Sequence, residues 1–278
     1  MPGTLCASVE HRRKPGVWND EVQIPKRSPP GAFDVPVVAL PGTPDRLLSM
    51  GNTRSTYSTV VEYLDLSVAN PAWTKLSPLN RGRSSANAVL LPDASVLLVG
   101  GQDAPGQPLA AGDPFFAELY KNGTWYGAVG PGVPASVRDA HATALLLPGG
   151  EVVVAGGDNR SFDYEIYHPW YLRGGAARPV ITSVSATQVG YRDVITVTWN
   201  PLPPGTQVER AVLMAPGSVT HHFDMHQRYV ALEFAAVDET QGLVTMPRNA
   251  TYAPPGYSML ILVTSGGVPS VATWIWLR

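Results

Sequence analysis

Three of the six histidines of this chain lie within six residues of each other, as His221, His222 and His226. They follow an apolar run, residues 211–216, which predicts a strand ending in a turn. Neutral imidazole is the commonest protein ligand for copper and zinc, so a histidine cluster at a strand end indicates a candidate metal site. The spacing matches no established metal motif. A polar loop whose histidines face water or cap neighbouring backbone therefore stands as the alternative.

The bulk composition is that of a globular protein. The chain has 278 residues, of which 44% are hydrophobic and 15% charged, so it can form one large or two modest domains with a sizeable core. A net charge of −2 argues against binding to nucleic acid or to an anionic membrane. The sequence contains no apolar run of about 18 residues, so no membrane span is expected. The composition leaves the oligomeric state open.

The chain contains a single cysteine, and its first residues do not resemble a sorting signal. The single cysteine, Cys6, excludes an internal disulfide, so a metal site in this chain must use histidine, tyrosine or carboxylate ligands. Residues 1–16 are polar and basic without an apolar segment, and they predict no secretory signal peptide. Asn122, Asn159 and Asn249 each begin an N-x-[ST] sequence, which is a glycan acceptor only in a secreted eukaryotic protein.

The pattern of apolar residues predicts an all-β protein. Gly and Pro number 27 each, and apolar residues come in short runs between them, which is typical of short strands joined by tight turns. We find no amphipathic pattern longer than two helical turns. Residues 1–35, rich in Pro, Lys and Arg, are expected to form an extended or disordered lead-in.

An internal repeat organises the first two thirds of the chain. Residues 88–103 return as residues 144–159, with Pro92 and Pro148 in equivalent positions, and residues 44–52 form a weaker copy. Each copy is a strand, a turn, a second strand and a glycine or Gly-Gly, with an aromatic strand downstream. Four strands per unit at a period near 50 are typical of kelch blades. Residues 36–172 therefore predict a partial kelch-type β-propeller of about two to three blades.

The pattern changes after the Gly-rich linker at residues 173–179. About seven short strands within 100 residues predict an immunoglobulin-like β-sandwich over residues 178–278. The very apolar segment 259–263 is expected to be a central strand. The predicted strands are residues 180–185, 194–199, 211–214, 229–234, 243–246, 257–264 and 271–277.

The sandwich contains a series of short motifs in a fixed order: Ala215-Pro216, Thr220-His221, Gln227-Arg228, residues 253–260 and residues 267–270. With these motifs, the kelch blades and the sandwich resemble the copper radical oxidases, the galactose oxidase and glyoxal oxidase family. The resemblance covers roughly residues 40–278, and Met214-Ala215-Pro216 and Met225 make the glyoxal oxidase branch the nearer one. It implies copper-dependent oxidation of aldehydes or primary alcohols by O2 with release of H2O2. It also implies a small aldehyde, alcohol or carbohydrate substrate and an extracellular location.

In that family two histidines and two tyrosines hold one copper ion, and one tyrosine is crosslinked to a cysteine and carries the radical. The resemblance places His141 and His221 at the two histidine positions, as metal ligands. Ala140 stands where the axial tyrosine belongs, and alanine can neither bind copper nor accept the substrate proton. No tyrosine precedes Tyr57, and Cys6 lies in the lead-in, so the radical partner has no counterpart.

We therefore expect copper to be weakly held or lost, and the chain to be incomplete and weakly active or inactive. Whether it is an enzyme stays open on sequence grounds. Two alternatives remain. One is a non-catalytic module that binds carbohydrate or protein, and the other is a truncated fragment.

Several other polar residues have a simpler expected role. His222 and His226 are expected at the loop surface. Arg138 could contact a substrate oxygen in the channel or be a solvated or blade-edge arginine. Asp139 is a possible oxygen ligand whose side chain is expected on the opposite face. Three more are interpreted as structural or turn residues: His168, Asp103 and Asp158.

Overall fold

The structure is a computed structural model, and it describes two backbone strands near the start of the chain and most of the chain from residue 35 onward. The described residues are 8–10, 21–23, 35–51, 58–104, 107–108, 117–127, 136, 138–139, 141–158 and 162–278, with backbone alone for 8–10, 21–23, 44, 103–104 and 107–108. Strands β1 (Ser8–Glu10) and β2 (Glu21–Gln23) pair antiparallel. The rest of the expected lead-in, residues 1–35, lies almost wholly outside the described residues.

Three antiparallel sheets follow, and they confirm the partial propeller. Two have four strands and the third has three, with strands adjacent in the order of the chain except for a small side hairpin. The first strands of the three sheets lie side by side, since β7 packs against both β3 and β13. The strands are β3 (Val37–Leu40), β4 (Thr43–Met50), β5 (Val61–Asp65) and β6 (Trp73–Lys75); β7 (Asn87–Leu90), β8 (Val96–Val99), the side pair β9 (Gln102–Ala104) and β10 (Gln107–Pro108), β11 (Ala117–Lys121) and β12 (Thr124–Tyr126); and β13 (Ala142–Leu146), β14 (Val152–Gly156) and β15 (Tyr164–Tyr167).

An arginine before the first strand of a blade bonds to the glutamate of that blade's third strand. Arg83 donates to the Glu118 carboxylate over 2.6 Å and to the Gly100 carbonyl, and both side chains are fully buried. One repeat later Arg138 bonds to Glu165 at 3.4 Å and to the Gly156 carbonyl. Burying a charge is costly unless it is paired and hydrogen-bonded. The repeated pair therefore ties each blade's entry loop to its own sheet.

The Gly100-Gly101 pair allows close approach of backbone both from its own blade and from the next blade. A Cβ on Gly100 would lie 2.5 Å from the Arg138 carbonyl oxygen, and a Cβ on Gly101 would lie 2.6 Å from that of Ser84. Both glycines have positive φ, at 72° and 101°, which other residues adopt only at a cost. The Gly101 amide donates to the Arg138 carbonyl at 2.8 Å. The pair thus joins the second blade to the third.

The C-terminal part is the expected β-sandwich. One eight-stranded sheet has the order β16-β18-β23-β22-β19-β24-β25-β17, and it folds over at β22. The C-terminal half of that strand pairs with β23 and its N-terminal half with β19, so the two layers enclose one apolar core. The strands are β16 (Ile181–Val184), β17 (Gln188–Val189), β18 (Val194–Trp199), β19 (Val208–Ala215), β20 (Val219–Thr220), β21 (Phe223–Asp224), β22 (Arg228–Ala236), β23 (Gln241–Thr245), β24 (Gly256–Thr264) and β25 (Thr273–Leu277).

Strand β24 joins the sandwich to the propeller. Its central residues are all buried, as the apolar segment 259–263 predicted. Leu260 and Leu262 face the sandwich core, whereas Met259, Ile261 and Val263 pack with Leu48, Leu90 and other blade residues in a second core. This alternation follows from the two-residue period of a strand. The sandwich therefore sits directly on the blades, and its loops can reach their inner strands.

Helical structure is almost absent from the described residues. They contain one short 3-10 helix, Trp170–Leu172, where the chain leaves the third blade. Its Tyr171 hydroxyl donates to the Gly150 carbonyl at 2.7 Å, and burial raises the pKa of this phenol well above its ordinary value. Within the same residues no helix has the length and apolar character needed to cross a membrane.

Candidate functional site

His221 and His222 form the two-residue turn of a hairpin that the sandwich extends onto the propeller. Strands β20 and β21 pair through Thr220 and Phe223, with the two histidines between them. Both histidines have positive φ, at 50° and 57°. A two-residue hairpin turn with two positive φ angles is of type I′, which normally contains Asn-Gly. Histidine at both positions costs conformational energy, and such strain is concentrated at functional sites.

The hairpin is held against the inner strands of two blades. Strand β21 lies against β7, and β20 against β13. The Gln227 side chain bonds to β7 as a further strand would, accepting from the Leu90 amide at 2.9 Å and donating to the Ala88 carbonyl at 2.8 Å. The Asp224 carboxylate accepts from the backbone amides of Ser218, His226 and Gln227. The position of His221 is thus fixed from both sides.

His141 occupies a turn immediately before β13. The Ala142 amide donates to the Asp139 carbonyl at 3.1 Å, which closes this turn. His141 is its third residue and has φ 67°, a conformation that Gly or Asn usually takes in such a turn. The Asn87 side chain of β7 donates to the Ala142 carbonyl at 3.1 Å, so the neighbouring blade supports the same turn.

The structure brings His141 and His221 together. Their ring centroids are 5.1 Å apart and the rings meet edge to face. Nδ1 of His141 bonds to the Asp158 carboxylate, and Nδ1 of His221 lies 2.7 Å from the Thr220 hydroxyl. A carboxylate accepts hydrogen bonds, so this contact calls for hydrogen on Nδ1 of His141, and in the neutral ring Nε2 then carries the lone pair that a metal can take. Two residues 80 positions apart therefore form one imidazole pair.

The donor set fits a copper ion held by two nitrogens. Imidazole suits copper, and a hydrogen bond from the second ring nitrogen is the usual support of a metal-binding histidine. The His141 side chain is 54% exposed, so an ion can reach it from solvent. Among the residues that the structure describes, no group of three or more His, Cys, Asp or Glu side chains is arranged to hold a metal. The pair could therefore supply two ligands, and the described residues offer no third of these residue types.

Asp158 is expected to control the metal affinity of His141. Replacing it with asparagine should weaken Cu(II) binding by about 10- to 100-fold, because supporting carboxylates contribute that much at other metal sites. Isothermal titration with Cu(II) measures this effect. Asp163→Asn is a suitable control, because Asp163 bonds to Ser136 and Arg138 rather than to an imidazole. An unchanged affinity in Asp158→Asn would show that the carboxylate does not orient the ligand.

The other residues singled out by sequence have structural roles or fall outside the site. His226 is exposed as expected and donates to the Pro216 carbonyl, whereas the expectation for His222 was wrong, since that side chain is only 6% exposed. It is buried because the turn folds its ring back beside Phe223. Arg138 is buried and paired within its blade, which fits neither a solvated arginine nor contact with a substrate. His168 is exposed just after β15.

Of the two remaining aspartates, only Asp103 differs from its sequence interpretation. Asp139 is buried and accepts from the Asp158 amide at 2.6 Å, and burial raises the pKa of its carboxyl. Asp103 lies in strand β9 rather than in a turn. Ala140, the residue at the axial tyrosine position, lies outside the described residues.

Sequence reasoning missed Asp158 and Thr220 as partners of the two imidazoles. For Asp158 a signal existed in the repeat. Ala142 pairs with Gly156 across the β13–β14 hairpin, so the residue before the first strand must lie near the residues after the second. An acidic residue two positions after Gly156 is therefore placed beside His141. Thr220 directly precedes His221, but no pattern in the sequence distinguishes it from other loop threonines.

The geometry can be compared with known proteins. Residues 178–277 match the family model "Galactose oxidase-like, Early set domain". A galactose oxidase of Gibberella zeae is 32% identical over 206 residues, covering 69% of this chain and 29% of the relative. The aldehyde oxidase GLOX of Vitis pseudoreticulata is 34% identical over 234 residues, covering 75% of this chain and 43% of the relative. The chain thus spans less than half the length of these relatives.

A solved structure shares the fold. A fungal alcohol oxidase of the AA5 family, determined in complex with copper, superposes with a TM-score of 0.75 at 23% identity. The match covers 93% of this chain and 56% of the other. It therefore includes the blades and the sandwich together.

Proposed function

Because this chain is a homologue of the galactose oxidase and glyoxal oxidase family of copper radical oxidases, we propose that it binds one copper ion between His141 and His221. The observation that carries the proposal is the meeting of these two imidazoles, 5.1 Å apart, from a blade turn and a sandwich hairpin. Neither element could place both ligands alone. Copper bound there would supply one-electron redox chemistry toward O2.

The proposed reaction is oxidation of a small aldehyde, alcohol or carbohydrate, with turnover that is weak or absent in these 278 residues. Two observations support weak turnover. Two imidazoles alone hold copper loosely compared with a site of four ligands, and Ala140 offers no phenol to accept a substrate proton. The residues of this chain would bind and orient the ion, with Asp158 and Thr220 fixing the two rings. An extracellular location is part of the same proposal.

A coupled peroxide assay on the copper-loaded chain tests the proposed activity. Glyoxal, methylglyoxal and galactose are suitable substrates, and His221→Ala is the matched variant. We expect H2O2 at or near the background of the variant. Strong peroxide production that His221→Ala abolishes would contradict weak turnover and establish an oxidase in this chain.

A second candidate function is binding without catalysis, and an aromatic patch on the sandwich favours it. Tyr257, Trp274 and Trp276 are 59%, 42% and 38% exposed on adjacent strands β24 and β25. The Tyr257 ring lies 4.6 Å from that of Trp276 and 6.4 Å from that of Trp274. A cluster of exposed aromatic side chains on a monomer surface marks a binding surface for an apolar or ring-shaped group.

If this aromatic patch binds polysaccharide, Trp274→Ala and Trp276→Ala should each reduce the affinity for an insoluble glucan by at least about tenfold. The reason is that an aromatic side chain that becomes buried on binding contributes more than about 1.4 kcal/mol. Co-sedimentation with the insoluble polymer measures this binding. Tyr126→Ala is the control, because Tyr126 is an equally exposed aromatic residue on the second blade. Equal retention of all three variants would exclude the patch as a carbohydrate site.

A further inference from the structure

Two of the three N-x-[ST] sequences lie within the described residues, and all three residues of each are exposed. Asn122, Gly123 and Thr124 are all exposed, and so are Asn249, Ala250 and Thr251. The third, at Asn159, lies outside the described residues. Most glycan acceptors must be exposed in the finished fold, because a bulky, hydrated oligosaccharide cannot be buried.

The first sequence forms the tip of an outer hairpin. Asn122 and Gly123 are the two-residue turn between β11 and β12, with Lys121 and Thr124 paired on either side. Asn122 has φ 50°, which asparagine tolerates better than most residues. A Cβ added to Gly123 would meet no atom within 4 Å, so the space around this tip is open.

The second sequence forms a turn between β23 and β24. The Asn249 side-chain oxygen accepts from the Thr251 amide at 3.0 Å, which is an Asx turn. This bond orients the side chain through its oxygen, so it does not occupy the Nδ2 amide group of Asn249. The Asn249 carbonyl accepts from the Tyr252 amide at 3.2 Å, so the turn is fixed by backbone as well.

We propose that Asn122 and Asn249 are N-glycosylation sites. In this reaction the side-chain amide nitrogen of asparagine bonds to the anomeric carbon of an oligosaccharide carried on a lipid pyrophosphate. The bond from that carbon to the phosphate oxygen breaks, the lipid pyrophosphate leaves, and the amide gives up one proton. The inference rests on the extracellular location proposed above, since the donor is found only in the secretory pathway.

Both sites are compatible with the candidate copper centre. Asn122 belongs to the outermost hairpin of the second blade, whereas His141 and His221 lie at the inner strands. Asn249 belongs to a turn of the sandwich that is separate from the β20–β21 hairpin. Glycans at these positions would cover outer surfaces and leave access to the imidazole pair.

The test is secretion of the full chain from a yeast behind a heterologous leader, in an Asn159→Gln background. Peptide-N-glycosidase treatment in H2¹⁸O converts glycosylated asparagine to ¹⁸O-labelled aspartate. A parallel incubation in H2¹⁸O without the enzyme measures the label that comes from spontaneous deamidation of Asn122-Gly123, and this background is subtracted. We expect label at Asn122 and Asn249. Thr124→Ala and Thr251→Ala should each remove the label at its own site, and Thr124→Ser and Thr251→Ser should retain it, because serine also completes the sequence.

Absence of label at either asparagine in secreted, folded protein would overturn the assignment of that site. Label that persists in the Thr→Ala variant would equally contradict it. The leader supplies entry to the secretory pathway, and no copper is needed for the readout. The outcome is therefore independent of whether the imidazole pair binds metal.

Discussion

Replacing Arg83 with alanine should lower the free energy of unfolding by about 3–5 kcal/mol, the cost of leaving a buried charge without its partner. The Glu118 carboxylate would lose its 2.6 Å bond to the guanidinium while staying buried in the second blade. It would keep its bonds from the Asn80 and Arg81 amides and the Asn80 side chain, none of which carries a full charge. The Gly100 carbonyl would also lose a donor.

Arg46→Ala is the matched control. Arg46 pairs with Asp65 at 2.9 Å, but its side chain is 49% exposed, and pairs in water contribute about 0–1 kcal/mol. Urea denaturation of both variants, compared through midpoint and slope, measures the difference. Equal losses in the two variants would show that burial of the Arg83–Glu118 pair does not govern blade stability.

Much of this architecture follows from local sequence signals. The repeat at residues 88–103 and 144–159 predicted two hairpins and their Gly-Gly ends, and β7–β8 and β13–β14 confirm them. Alternating strands predicted the sandwich, and β24 is its buried central strand. These features depend on strand periodicity and on the residue types of turns, and both are determined within short stretches of the sequence.

The site was less accessible to sequence reasoning because it depends on contacts between distant residues. The pairing of His141 with His221 was predicted from a family resemblance, because no local pattern in the sequence indicates that a loop of the sandwich contacts a blade. The burial of His222 depends on how the folded hairpin packs, with its ring beside Phe223, whereas a histidine in a polar loop predicts exposure. The role of Gln227 likewise depends on the β7 backbone, 137 residues earlier in the chain.

Replacing His221 with alanine should reduce the affinity for Cu(II) by more than about 100-fold, which exceeds the effect expected of a supporting residue. His141→Ala should have a similar effect, because one imidazole cannot hold the ion alone at comparable affinity. His226→Ala is the matched control. That residue lies in the same loop and is exposed, but its Nδ1 bonds to the Pro216 carbonyl. Competition with a chelator of known affinity measures all three variants.

The most direct measurement of the central claim is electron paramagnetic resonance of the protein loaded with one equivalent of Cu(II). The imidazole pair predicts a single Cu(II) signal with hyperfine coupling to two nitrogen atoms, one from the His141 ring and one from the His221 ring. Each single alanine variant should lose one nitrogen coupling, and the double variant should lose the signal of bound copper. The same signal in wild type and in the double variant would contradict the account, because copper would then be held elsewhere in the chain.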